Sequence, residues 1–191
     1  MTQVIKSVSI LYAACTAVFA LGCATDPGSD SPVTAIEQGS KGHTEIHTED
    51  DCDPVTFGAL CNPNFHGNTT RDEFTAELNA TKQVQAWEYG GGQIRVSSGE
   101  SFQVDNKGGE THTFSVVANF GGGRVPGLNT ASGNTVVAPE CVAGANAANV
   151  DIASGGGLTV TTGGSGTMKS KGTFKVQCCI HPWMRTTVVI N

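Results

Sequence analysis

Hydrophobic and polar residues alternate in short runs along most of the chain after Val84. Residues 84–89 (VQAWEY), 92–106 (GQIRVSSGESFQVDN), 110–120 (ETHTFSVVANF), 157–162 (GLTVTT), 172–178 (GTFKVQC) and 184–191 (MRTTVVIN) are β-type stretches separated by Gly, Asn and Ser. The period of two is clearest at Phe102 and Val104 and at Phe174, Val176 and Cys178, and repeated short strands with turn signals predict an all-β sandwich or barrel. One segment has the helical period instead. Thr70-Arg71-Asp72-Glu73 has the form of a capping box, and Phe74 and Leu78 follow it four residues apart, which predicts a helix over residues 70–80. Residues 121–165 are rich in Gly, Ala and Asn and read as loop with one strand near residues 158–162.

The N-terminal third reads differently. An apolar run from Val8 to Leu21 follows a single Lys6 and is too short to span a bilayer, so residues 1–22 are expected to be an export signal. Residues 26–51 are rich in Ser, Gly, Thr, Asp and Glu, a composition that buries too little apolar surface to order itself, so residues 23–51 are expected to be a flexible tether. The expected organisation continues with an extension over residues 52–82, holding the short helix and a disulfide, and a β-domain over residues 83–191. The chain of 191 residues carries 11 basic and 17 acidic side chains, a formal charge of −6; nucleic acid is not an expected partner.

Seven cysteines are present, and Cys52, Cys61, Cys141, Cys178 and Cys179 lie beyond the leader and its processing site. In an oxidising compartment an odd number leaves one thiol for a metal, for an intermolecular bond or exposed and reactive. Cys52 and Cys61 bracket a short loop and pair most simply with each other. Strand alternation turns Cys178 inward with Phe174 and Val176 and Cys179 outward, so the pairing read here is Cys52–Cys61 and Cys141–Cys179 with Cys178 free, one of three connectivities open to four bonded cysteines.

Cys178-x2-His181-x2-Met184 then offers a thiolate, an imidazole and a thioether from one turn between two strands. Two imidazoles, a thiolate and a weak axial thioether suit copper cycling between its two oxidation states. The second imidazole must come from elsewhere, and of the remaining histidines His112, at the start of a β-run after a Gly-Gly turn, has a strand context. His43 and His47 are four residues apart but fall in the expected tether, and His66 is expected at the surface. A structural zinc site wants four strong ligands, and a thioether is a poor fourth.

The run Cys178-Cys179-Ile180-His181-Pro182-Trp183-Met184-Arg185, with the upstream "THTF" and the closing strand "TTVVIN", resembles the cupredoxins, the small blue copper proteins, and most closely the ligand loop of the amicyanin type. The resemblance covers residues 83–191 and implies a cupredoxin-like Greek-key β-sandwich with one copper per chain, held by His112, Cys178, His181 and, at longer range, Met184. It also implies that the His181 ring edge reaches the surface within an apolar docking patch of Ile180, Pro182 and Trp183. Thr111 and Asn106 are the expected sources of hydrogen bonds around the metal. The implied function is single-electron transfer between larger redox proteins, such as a c-type cytochrome and a dehydrogenase or oxidase, without catalysis by the chain itself. A copper-delivery protein and a non-redox, disulfide-stapled β-domain are the alternatives. Five His in the whole chain leave no second cluster for a catalytic copper centre, and three Met make no Met-rich delivery stretch. Leu21-Gly22-Cys23 resembles the lipobox of bacterial lipoproteins, which implies lipidation of Cys23, and Ala24 after it implies the periplasmic face of the outer membrane. Without lipidation the expectation is a soluble periplasmic protein.

Overall fold

The computed structural model describes residues 45–90, 92–142, 149–163, 168 and 171–191. The expected export signal, Cys23, His43 and most of the expected tether lie outside the described residues. No described helix is long and apolar enough to cross a membrane.

Among the described residues nine strands form two sheets. β1 (Glu45–Glu49), β2 (Glu88–Gly90), β4 (Ser101–Asn106) and β7 (Gly157–Thr161) make one, in the order β2-β1-β4-β7. The other contains β3 (Ile94–Val96), β5 (His112–Val117), β6 (Asn149–Ile152), β8 (Gly172–Gln177) and β9 (Arg185–Ile190), in the order β3-β9-β8-β5-β6. β1 runs parallel to β4 and β3 parallel to β9, while the remaining pairs are antiparallel. The chain changes sheet at β2–β3, β3–β4, β4–β5, β6–β7 and β7–β8, so the two layers are wound together into a β-sandwich, as the alternation predicts. Between them lies one core in which Ile46, Phe102 and Val104 meet Phe114, Val176, Val188 and Ile190. The Phe102 and Phe114 rings meet edge to face across it at 5.9 Å.

The tether ends earlier than its composition suggests. Residues 45–49, placed in the tether by the sequence, form the strand between β2 and β4, with Ile46 and Thr48 fully buried. The same inward alternation, 46 and 48, continues to Asp50, a buried carboxylate. His47 therefore belongs to a strand and not to a solvated segment. One large apolar side chain among acids gives a weak sequence signal, and the strand is held by ladders on both edges rather than by its own hydrophobicity.

The extension contains α1 (Pro54–Phe57), a 3₁₀ turn (Gly58–Leu60) and α2 (Arg71–Thr81). At α2 the capping box is complete: the Glu73 backbone N–H donates to Thr70 Oγ1, and the Thr70 N–H donates to Glu73 Oε2 at 2.9 Å. Phe74 and Leu78 turn inward, and the Phe74, Phe57 and Trp87 rings pack at 4.8 to 5.8 Å. Residues 121–165 hold more structure than the sequence reading gave them. Within them lie α3 (Pro126–Ser132), a 3₁₀ turn (Pro139–Cys141), β6 and β7.

Candidate metal centre

β5 and the β8–β9 connection bring the candidate ligands together. His112 is the first residue of β5, and its neighbour β8 delivers Cys178 one residue past its end. The connection folds back on itself: the Cys178 N–H donates to the Met184 carbonyl and the Met184 N–H to the His181 carbonyl, each at 3.0 Å. Pro182, with its φ fixed by the ring, lies inside this turn. His112 and Cys178 are fully buried, Met184 is 1% exposed and His181 2% exposed.

His112 Nδ1 lies 4.0 Å and His181 Nδ1 3.8 Å from Cys178 Sγ, and all three ligand atoms fall within 4.8 Å of one another. Metal–sulfur bonds of ~2.3 Å and metal–nitrogen bonds of ~2.0 Å at trigonal angles separate sulfur from nitrogen by ~3.7 Å, so the three donors fit one ion. Met184, with its thioether, lies in the same buried turn.

The far side of each ring is occupied. His112 Nε2 lies 2.8 Å from Asp50 Oδ2, and His181 Nε2 lies 3.2 Å from Glu110 Oε2. An ionised carboxylate only accepts, so each Nε2 carries the proton and each Nδ1 is turned toward the sulfur. The sulfur itself accepts backbone N–H bonds from Thr113 at 3.4 Å and His181 at 3.5 Å. Cys179 N–H donates to Thr113 Oγ1 at 2.7 Å and ties the ligand turn to β5.

The electrostatics follow from this contact set. Burial pushes the Cys178 thiol up, but the hydrogen bonds and charges of His112 and His181 reverse that and hold it well below the usual thiol value. Burial lowers His181, and its bonds to Cys178 and Glu110 more than compensate, raising it to about 9. His112 is likewise depressed by burial and raised overall by Asp50 and Cys178. Asp50 is raised by burial and lowered overall by His112 and by backbone N–H groups of Glu110 and Cys52. The metal-free centre thus favours thiolate, the form that binds a metal.

Two disulfides flank the centre. Cys52 is bonded to Cys61 and Cys141 to Cys179, and Cys178 is the free cysteine among the described residues. Cys179 points away from the sandwich core into a small cluster with Val117, Ala138 and Cys141.

The site departs from the sequence reading in three places. His181 does not reach the surface: Trp183 lies against it at 5.5 Å, Phe74 of α2 packs on Trp183 at 5.9 Å, and Glu110 takes its outer nitrogen. The aromatic residues of the extension need a partner, and the ligand turn provides it. Trp183 is only partly buried, whereas Pro182 is buried. Of the expected hydrogen-bonding residues, Asn106 acts at one remove, donating to the Glu110 carbonyl at 2.7 Å, and Thr113 rather than Thr111 touches the sulfur. Asp50 and Glu110 were not singled out by the sequence. Their signal was weak: an acid two residues past a buried Thr, and an acid two residues before a ligand His.

No protein-family model matches the chain, and no curated protein matches it. Among solved structures the chain is similar to a novel purple cupredoxin from Nitrosopumilus maritimus, at 13% identity over 77% of this chain and 98% of that one, with a TM-score of 0.41. A reduced Cu(I) form of an amicyanin variant matches at 16% identity over 57% of this chain and 77% of its own, with a TM-score of 0.36. Oxidised plastocyanin from Dryopteris crassirhizoma matches at 12% identity over 78% of this chain and 100% of its own, with a TM-score of 0.38. At such distances the assignment of the metal centre rests on the chain's own residues.

Proposed function

We propose that the protein is an extracytoplasmic single-electron carrier with one copper ion held by His112, Cys178, His181 and Met184. The observation that carries this reading is the convergence of two imidazole Nδ1 atoms and one thiolate in a fully buried pocket. When bound there, copper supplies a one-electron couple. The protein's part is to hold the donors still. Cys178 and His181 are fixed in a hydrogen-bonded turn between paired strands and His112 in a ladder, so the donor positions change little when charge is gained or lost.

A carrier, rather than a catalyst, suits a centre whose three donor residues are each 2% exposed or less. Burial also disfavours delivery of the ion, which needs an exposed donor to begin ligand exchange. The two disulfides support an oxidising compartment, and the leader and Cys23 support anchoring by lipid on the periplasmic side, with no other membrane contact. A c-type cytochrome, or a dehydrogenase or oxidase, is the expected kind of partner. Trp183, partly exposed and in ring contact with His181, is the nearest route outward for the electron.

Protein-film voltammetry of the copper-loaded chain tests the reading. A reversible one-electron wave that persists over repeated cycles is expected. Copper that is bound but released on reduction would contradict a carrier and favour delivery.

A further inference from the structure

Both imidazoles of the centre rest on a buried carboxylate, and neither carboxylate belongs to the ligand turn. Asp50 directly follows β1 and Glu110 lies two residues before His112. Asp50 Oδ1 accepts from the Cys52 and Gly109 N–H groups, each at 3.0 Å, and Oδ2 accepts from the Glu110 N–H at 2.9 Å and from His112 Nε2 at 2.8 Å. Three of these four donors are backbone, so the carboxylate stays in place without help from the histidine. Gly108 and Gly109 make this possible: a Cβ on the first would run into the Asp50 carboxylate, and on the second into the Cys52–Cys61 sulfurs. Glu110 Oε2 is held in turn by Trp87 Nε1 at 2.6 Å and accepts from His181 Nε2 at 3.2 Å. One frame, from β1 through the disulfide loop to Trp87, therefore grips both rings from behind.

We propose that Asp50 and Glu110 are positioning residues of the metal centre, each accepting the Nε2 proton of one imidazole, turning its Nδ1 toward Cys178 and biasing the bound copper toward Cu(II). The bias rests on the electron-carrier reading; the orientation does not. A carboxylate behind a ligand imidazole fixes its tautomer and makes it a stronger donor, and loss of such a partner typically weakens metal binding about 10- to 100-fold. Two carboxylates add negative charge near the ion, which favours the more highly charged oxidation state.

The test uses the full chain with Asp50→Asn and Glu110→Gln. In the metal-free protein the Nε2–H protons of His112 and His181 are expected as slowly exchanging NMR signals. Each substitution should shift the signal of its own histidine and speed its exchange. In the copper-loaded protein each should lower the preference for Cu(II) over Cu(I) about tenfold, raising the potential by about 59 mV for one electron. Either unmoved Nε2–H signals or an unchanged affinity ratio overturns the proposal. If Asp50→Asn does not fold, Glu110→Gln, whose amide oxygen can still accept from Trp87, decides alone. A wild-type chain that takes up no copper fails the carrier reading instead, and the NMR signals then decide the positioning role by themselves.

Discussion

Cys178 is the residue on which the chemistry converges, with two N–H donors and two imidazoles around one buried sulfur. Its neighbours were legible in the sequence because the donor types and spacing of Cys178, His181 and Met184 sit in a single turn, and His112 was the one remaining histidine in a strand context. Asp50 and Glu110 were not, because a carboxylate behind a ligand has no sequence spacing of its own and depends on which strands become neighbours. Met184, buried in the turn beside His181, is the weak member of the proposed donor set. Met184→Gln should therefore retain copper and shift its potential, measured by voltammetry; complete loss of the metal would make Met184 more than an axial ligand. Gly109 makes a sharper prediction about packing. A methyl group there meets both sulfurs of the Cys52–Cys61 bond, so Gly109→Ala should cost about 1–3 kcal/mol in thermal or denaturant unfolding. An unchanged stability would mean that the loop carrying Glu110 is not tightly seated on the disulfide.

At the scale of elements, α2 follows its local signals closely. The expected start at Thr70 is the observed N-cap, and the expected end at residue 80 falls one residue short of Thr81. Thr70→Ala should lower stability by about 1 kcal/mol through loss of the cap. Hydrogen bonds from the Thr70 side chain and backbone hold the Glu73 carboxyl below its ordinary 4.5. A depressed carboxyl contributes stability that is complete above its unfolded value and fades as pH falls through the folded one. The difference in melting temperature between wild type and Glu73→Gln should therefore be full above about pH 4.5 and close below it. A difference independent of pH would show that the charge of Glu73 plays no part. The strands β3, β4, β5, β7, β8 and β9 fall within runs marked by the sequence, and β2 ends one residue past its run, at Gly90. β1 and β6 do not, since each has few apolar residues and is stabilised by pairing with partners distant in the chain. Likewise, Cys141–Cys179 spans 38 residues. Constraint of the unfolded chain by a loop of that length is worth about 4 kcal/mol, and replacing both cysteines with alanine should lower stability by an amount of that order. Cys178 would remain free to bind metal in that variant.

For the molecule as a whole, the boundary of the folded unit matters most. β1 lies between β2 and β4, and Asp50 at its end touches the centre. A chain starting at residue 83 would leave two strand edges unpaired and His112 without its carboxylate, so it should aggregate or bind copper poorly, whereas a chain starting at residue 40 should fold and load fully. Equal loading by both would show that β1 is dispensable. The same placement of residues 45–81 explains why the expected exposure of His181 fails: a segment that looked peripheral in sequence is packed over the ligand turn. The proposed function requires that His112, Cys178 and His181 hold copper through a thiolate. The most direct measurement is the visible and EPR spectra of the chain loaded with Cu(II), recorded beside Cys178→Ser. The predicted result is an intense thiolate-to-copper band with narrow copper hyperfine splitting in wild type and its absence in the variant; a colourless wild-type protein, or a band that survives the substitution, would contradict the assignment.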